Sequence, residues 1–430
     1  MSERTIRARL QEIELPQYVV RVLSIFEDNG YEAYVVGGAV RDLLRGEHNV
    51  NDYDVTTNAL PEETKRLFSG YMIYETGIKH GTVTVNVDGN MVEITTYRTD
   101  GEYADSRHPD NVTFTRNIIE DLARRDFTVN AMALSLDGRL VDPFDGVYDL
   151  SNAILRAVGD PSKRFSEDAL RIMRLYRFSA QLCFDIEKET LEATQKCAQG
   201  LNNISKERIV AEWEKLLTSV FCRKSLDYMY KYGIFDVIFP NVPVSRDLFD
   251  RIELMKAHYP WRSALLFKEV PLDELPVAIE RICLKKSDFE EITGILTALN
   301  ELRQNQMEHV NLFAYEYQKY AFFAATIAWM EGSAKFELWR EIRYLLEGGL
   351  PITSRFGLCV YGGDLIRAGV PDRSWLSPIF SLIIRKVVCE ELENERTAIY
   401  DELPKMIAEI EQDKRSAPDT WRKMRKYRIK

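Results

Sequence analysis

Between Ala33 and Thr96 short apolar runs alternate with polar and turn-forming residues, and from Ser166 onward that rhythm gives way to apolar positions three and four apart. The first pattern predicts strands at Ala33 to Val36, Tyr53 to Thr56, Thr82 to Val87 and Met91 to Thr96, with another at Val129 to Leu134, because residues two apart share one face of a pleated strand. Helical spacing is interleaved at Pro16 to Asn29, Val40 to Leu44 and Pro61 to Leu67, each run bounded by Gly, Asn or Asp. The second pattern puts Ala169, Ile172, Met173, Leu175, Tyr176 and Ser179 on one helical face, and Ile209, Trp213, Leu216 and Leu217 on another. The prediction is an α+β N-terminal head, a mixed β-sheet with helices, followed by an all-α remainder. Turn-rich joints fall at Asp142 to Gly146, Gly159 to Ser162, Phe239 to Pro243 and Gly348 to Ser354. The expected divisions are a head over 1–150, a helical neck over 151–218, a helical body over 219–345 and a helical tail over 346–430.

A chain of 430 residues with 45% hydrophobic content exceeds what one core organises, in keeping with several domains. The most apolar short window, Tyr320 to Met330, falls far below spanning length, so the expectation is a cytoplasmic protein with no membrane partner. The cysteines are scattered without a CxxC, and the histidines are equally dispersed. Linear spacing thus argues against a disulfide framework and a zinc site, and any metal is expected on oxygen ligands, as magnesium prefers. The net charge of −10 restricts any nucleic-acid contact to local basic patches. Arg156 to Arg177 and Lys414 to Lys430 are such patches, although the closing RKMRKYRIK reads equally as a solvated end.

Candidate chemistry concentrates in "VVGGAVRDLLRGEHNVNDYDVTT", Val35 to Thr57. A strand entering Gly37-Gly38 and then a helix makes a turn whose backbone N–H groups face an anion, or simply an ordinary tight turn. Neither GxGxxG nor the Walker pattern is present. Asp52 and Asp54, two apart in extended chain, are expected on the same side of the sheet, where they repel unless water or a divalent cation separates them. A glycine turn, Arg41 and a carboxylate pair together are the parts of a two-metal nucleotidyl transfer site. Glu93, in "MVEITTY", is the candidate third carboxylate, weighed against an exposed strand residue.

These segments resemble a known family. "GGAVRDLLRG", "NDYDVTTNALPEE", "HGTVTV", "VEITTYRTDGEY", "RRDFTVNAMA", "DPFDG", "RFSEDALRIMRLYRF" and "ISKERIVAEWEKLL" are similar, in order and spacing, to class II tRNA nucleotidyltransferases, relatives of bacterial poly(A) polymerases. The resemblance spans Tyr31 to Leu217; "GGDLIRAGV" and "CEELENERTAIYDEL" extend it more loosely to the helical tail. It implies a nucleotidyltransferase head, a neck that recognises the base, and an RNA-binding body and tail. Carried onto this chain, it implies Asp52 and Asp54 as Mg2+ ligands, Gly38 and Arg41 as contacts to the nucleoside triphosphate, Arg125 as another contact to the nucleotide, Asp168 and Arg171 as the base-reading pair, and Arg174 and Arg177 as further nucleotide contacts.

Asp168, Arg171, Arg174 and Arg177 recur every third residue, which a helix beginning at Glu167 would align in one stripe, whether solvated or functional. Cytosine and adenine both present an amino donor beside a ring-nitrogen acceptor. Guanine and uracil present the reverse, so a carboxylate beside a guanidinium accepts C and A and rejects G and U. The implied reaction is template-independent addition of C, C and A to the tRNA 3′ end from CTP and ATP, by a monomer or homodimer. A-only addition, poly(A) synthesis and a non-catalytic RNA-binding descendant are the alternatives. The polar, turn-rich "RTDGEYADSRHPDNVTF", Arg98 to Phe114, has the length that the family associates with the switch to adenine, which argues against CC-only addition.

Overall fold

The computed structural model describes residues 2–47, 49–100, 112–280, 285–304, 307, 309–418, 420–424 and 426. They form two compact units, the first of Met1–Val242, Ile252–Ala257 and Ala278–Leu284, the second of Pro243–Arg251, His258–Val277 and Lys285–Lys430. The first break, after Val242, falls inside the turn-rich joint at Phe239 to Pro243.

The first unit is built on strands β1 (Ala33–Val36), β2 (Asp54–Thr57), β3 (Met72–Tyr74), β4 (Thr82–Val87), β5 (Asn90–Thr96), β6 (Arg98–Asp100), β7 (Val112–Phe114), β8 (Ala133–Leu134) and β9 (Leu140–Val141). Seven of them form one sheet in the order β3-β4-β5-β2-β1-β8-β9. Only β2 and β5 run parallel there, the other pairs being antiparallel, so the sheet is mixed. Val55, Thr56 and Thr57 of the central β2 are all buried, whereas β4 alternates along its length, as the different covering of the two strands demands. β6 and β7 pair separately as antiparallel strands. The loop expected between them, residues 101–111, lies outside the described residues, as do His48, His108 and Cys283.

Helices α1 (Glu3–Leu10), α2 (Gln17–Asp28), α3 (Gly38–Arg45), α4 (Pro61–Leu67), α5 (Ile118–Ala123) and α6 (Gly146–Ser151) accompany the sheet. Burial of Val19, Val22, Leu23 and Phe26 follows the i, i+3, i+4, i+7 stripe of α2. Helices α7 (Pro161–Glu167), α8 (Leu170–Leu182), α9 (Lys188–Cys197) and α10 (Lys206–Leu217) follow. Trp213 of α10 is fully buried and meets Phe235 and Phe239 edge-on.

Three details differ from the sequence reading. The strand expected at Val129 to Leu134 is a 3-10 turn at Thr128–Asn130 and only then β8. The Asp126 carboxylate accepts from Phe127 N at 2.8 Å and Asn130 Nδ2 at 3.2 Å, local bonds that displace the ladder. β2 begins at Asp54, leaving Asp52 ahead of the strand. Glu167 ends α7, and Asp168 is extended, with φ −144° and ψ 103°. Its Oδ1 accepts from Leu170 N at 3.0 Å, so Asp168 caps α8 rather than belonging to it.

Among the described residues beyond 182, strand structure in the first unit is reduced to Asp185–Ile186, which pairs with Ile154–Leu155. The second unit is helical among its described residues. Its core gathers Leu312, Tyr315, Leu365, Trp375, Ile379, Ile383, Leu403 and Met406. No helix among the described residues is long and apolar enough to cross a membrane.

Candidate active site

Strand β1 delivers the chain into Gly37, whose φ of +74° lies in the left-handed range and whose added Cβ would stand 3.1 Å from Arg125 Nη1. Gly37 is therefore the position where a side chain is strained by the backbone and fits only if Arg125 shifts. Helix α3 starts at Gly38, and its first turn carries Arg41. That guanidinium donates to both oxygens of Asp42, at 2.9 and 2.8 Å, and to Asn130 Oδ1 at 2.6 Å. Arg41 is thus buried and held in one orientation before any ligand arrives.

The carboxylates come together through strand register. Asp54 lies opposite Val36 on β1 and beside Glu93 on β5, so a parallel ladder sets Asp54 and Glu93 on one face. Glu93 and Asp52 are exposed and Asp54 is half-buried. Burial, then Asp52, then Glu93 push the Asp54 carboxyl up to about 6, with Arg125 opposing. Burial and two like charges thus outweigh the one opposing guanidinium. The only three His, Cys, Asp or Glu side chains among the described residues with ligand atoms all within 4.8 Å lie elsewhere, so Asp52, Asp54 and Glu93 stand open. An all-oxygen set of this charge suits a hard divalent cation.

A cavity of about 520 Å³ adjoins Asp52 and Asp54, and Gly38, Arg41, Asp42 and Gln181 also line it, a size within the range of small-ligand sites. Arg125 contacts Asp121 at 3.5 Å, and its Nε is buried without a hydrogen-bond partner. Such an orphaned donor is costly unless a ligand oxygen meets it. Arg174 donates to Asp126 at 2.8 Å; burial pushes the Asp126 carboxyl up, and Arg174, with Asn130 and Arg171, more than reverses this and holds it down at about 2.

The expected charge stripe is not a solvated face. Side-chain exposure is 11% at Arg171 and 9% at Arg177. Arg171 pairs with Glu167 at 2.9 Å and donates to the Arg124 carbonyl at 3.1 Å. Arg177 lies 3.0 Å from Glu212, and Asp168 pairs with Arg208 at 2.7 Å. The rings missed in the sequence reading include Phe178, over which Arg41, Arg174 and Arg177 lie at 5.3, 5.3 and 4.0 Å, a cation–π hub. Arg208 and Glu212 were also missed. Their signal was the i, i+4 spacing within "KERIVAEW" on a helix whose Trp213 is buried, which turns both toward α8.

Three family models match the chain. The Poly A polymerase head domain matches residues 33–156, the RNA and SrmB-binding site of polymerase A matches 183–244, and tRNA nucleotidyltransferase domain 2 matches 279–403. The CCA-adding enzyme of Geobacillus kaustophilus is 37% identical over 384 residues, covering 86% of this chain and 92% of its own. That of Streptococcus mutans is 36% identical over 407 residues, covering 91% and 97%. This chain belongs to the class II CCA-adding enzymes of the poly(A) polymerase/tRNA nucleotidyltransferase family. The Bacillus stearothermophilus CCA-adding enzyme in complex with CTP has the same fold at a TM-score of 0.76, with 32% identity and coverage of 92% and 98%. The Thermotoga maritima enzyme complexed with tRNA shares the fold at 0.69, with 21% identity and coverage of 93% and 98%. Membership of a polymerase-type nucleotidyltransferase family implies a divalent metal. Gly38, Arg41, Asp52, Asp54, Glu93 and Arg125 fall inside the head-domain match, whereas Asp168 to Arg177 fall between the first two models.

Proposed function

We infer that Asp52 and Asp54, with Glu93 beside them, hold the magnesium ions for the reaction of this chain, the addition of C, C and A to the 3′ end of tRNA. The observation that carries the assignment is the register that sets Asp54 beside Glu93, with Asp52 lining the same cavity as Asp54; burial and these two acids raise the Asp54 carboxyl to about 6, and a site strained by like charge gains most from a cation. When bound, such ions lower the pKa of the attacking hydroxyl and neutralise the triphosphate. The chain's own groups do the positioning. Gly37 and Gly38 open helix α3 without side chains of their own over its N-terminus, and the unmet Nε of Arg125 suits a phosphate oxygen. Arg41, fixed by Asp42 and Asn130, presents a preset wall rather than a loose cation. The terminal hydroxyl gives up its proton to solvent and its oxygen forms a bond to the α-phosphorus of CTP or ATP, as the bond from that phosphorus to the α,β-bridging oxygen breaks and pyrophosphate leaves with that oxygen.

Base choice falls to Asp168 and Arg171. Both are braced, Asp168 by Arg208 and Leu170 N, Arg171 by Glu167 and the Arg124 carbonyl, so an incoming base meets an oriented acceptor and an oriented donor. A guanine or uracil there faces like partners across a mostly buried edge, a mismatch of about 10⁴-fold or more in a site built for hydrogen bonding. Arg174 and Arg177 complete the nucleotide wall, and the helical body and tail dock the tRNA.

The test offers tRNAs ending at the discriminator base, at C and at CC, each with CTP or ATP alone and magnesium. CTP is expected to extend the first two and ATP only the last. ATP extension of every end would mean poly(A) synthesis, and extension of the CC end alone, with CTP inert throughout, would mean A-only addition.

A further inference from the structure

We propose that His309, Cys389 and Glu391 form a site for a zinc-class divalent ion, apart from the carboxylates of the active site. One ligand atom from each, an imidazole nitrogen, Cys389 Sγ and a Glu391 carboxylate oxygen, lie within 4.8 Å of one another. Among the described residues no other group of three or more such side chains meets that spacing. The expectation against zinc rested on linear spacing, and the fold cancels it. His309 caps the start of helix Val310–Tyr317, and Cys389 caps the end of helix Leu376–Val388. The Asn311 side chain donates to the Val388 carbonyl at 3.0 Å, which fastens one helix end to the other. Val310 and Cys389 both pack against the core that buries Leu312, Val387 and Val388, so neither end drifts without disturbing close-packed side chains. Glu391 N returns to the Lys386 carbonyl at 2.8 Å, across Glu390 at a left-handed φ of 60°, and this helix-ending turn keeps Glu391 beside Cys389.

The donor set selects the ion. A thiolate, an imidazole and one carboxylate suit borderline Zn2+ or Co2+, whereas Mg2+ favours oxygen alone and keeps its waters. The charges close as well: thiolate and carboxylate bring two negative charges against the ion's two positive ones, with neutral imidazole between. Binding breaks the Cys389 S–H bond and forms a sulfur–metal bond, the proton passing to solvent without redox change. Three protein ligands leave a fourth tetrahedral position for water. His309 and Glu391 are exposed, so the ion enters from solvent after folding. The effect is a staple across two helix ends of the second unit's core, and nucleotide transfer does not depend on it.

The experiment takes the full chain, stripped with a chelator, and titrates Co2+ alone. One strong equivalent is expected, with a thiolate-to-cobalt absorption in the near ultraviolet that Zn2+ abolishes by displacement, and a higher melting temperature with Zn2+. Cys389→Ser removes that absorption, and His309→Ala or Glu391→Ala weakens Co2+ binding by roughly a hundredfold each, one ligand's share of the affinity. Both of these side chains face solvent, so their variants keep the fold and add CCA with magnesium at the parental rate. Asp54→Asn keeps the absorption, which separates this site from the active one. Absence of the thiolate band in the parent, its persistence in Cys389→Ser, or unchanged affinity in both His309→Ala and Glu391→Ala overturns the proposal.

Discussion

Asp54 carries two burdens of opposite sign. Its folded carboxyl titrates at about 6 against about 3.9 for an unfolded aspartate. Between those values the folded state holds a proton that the unfolded state has released, so stability falls as pH rises through the window. Below about 4 both states are protonated and nothing is lost; above 6 the loss is complete. Asparagine does not titrate, so metal-free Asp54→Asn is expected to melt a few degrees above the parent at pH 7.5 and level with it near pH 4. Magnesium should raise the parent's melting temperature and leave the variant's unchanged, while CCA addition falls by on the order of a hundredfold or more. Thermal melts at both pH values, with and without magnesium, check this. A variant that melts lower at pH 7.5 would mean that Asp54 is structurally favourable and that crowding by Asp52 and Glu93 has no stability cost.

At the scale of elements, the turn between β1 and α3 separates two adjacent glycines by physical role. Gly37 has a positive φ and a tight 3.1 Å approach to Arg125, whereas a Cβ on Gly38 would make only an ordinary 3.5 Å contact with Arg41. Gly37→Ala is expected to cost roughly 1–3 kcal/mol and to raise the KM for CTP by displacing Arg125. Gly38→Ala should cost less than half of that in urea denaturation, and equal costs would show that the turn does not depend on the left-handed residue. This asymmetry was not legible in the chain itself, where two glycines in a row look alike. Helix α2 and strands β1 and β4 were legible, because an apolar stripe or alternation is a local property that burial simply completes. The pairing of Asp54 with Glu93 depends on register between β2 and β5, and periodicity within either strand carries no information about register. The break at Asp168 was hidden for a similar reason: a carboxylate that caps α8 and one that sits inside it leave the same residue spacing. Arg208 belongs to this scale too, since α10 uses it to brace Asp168 from a separate helix. Arg208→Ala should keep the fold and lower discrimination against UTP and GTP, read as misincorporation at the CC-adding step, whereas unchanged selectivity would detach Asp168 from base reading.

Across the whole molecule, the proposed division of labour places nucleotide chemistry in the first unit and tRNA docking in the helical remainder, and the second unit holds an ion network that tests it. Lys268, only 4% exposed at its side chain, lies 2.7 Å from Glu269, 3.2 Å from Glu331 and 3.3 Å from Asp247. Arg303 reaches Glu331 at 2.5 Å and Glu269 at 2.9 Å. These groups come from segments far apart in sequence, so the network ties the unit together rather than stiffening one helix. A net charge of −10 leaves little general attraction for RNA, and docking must then rest on shape, which local unfolding destroys. Removing Glu331 leaves Lys268 and Arg303 with less compensation in a mostly buried setting, a change that costs about 3–5 kcal/mol when a buried pair is broken. Glu331→Ala is therefore expected to lower the temperature at which tRNA is released in a gel shift, while CTP binding, followed by calorimetry over the same temperatures, persists because Gly37, Arg41, Asp54 and Arg125 all belong to the first unit. Loss of CTP and tRNA binding in parallel at every temperature would refute the division, because nucleotide binding would then depend on the integrity of the helical unit.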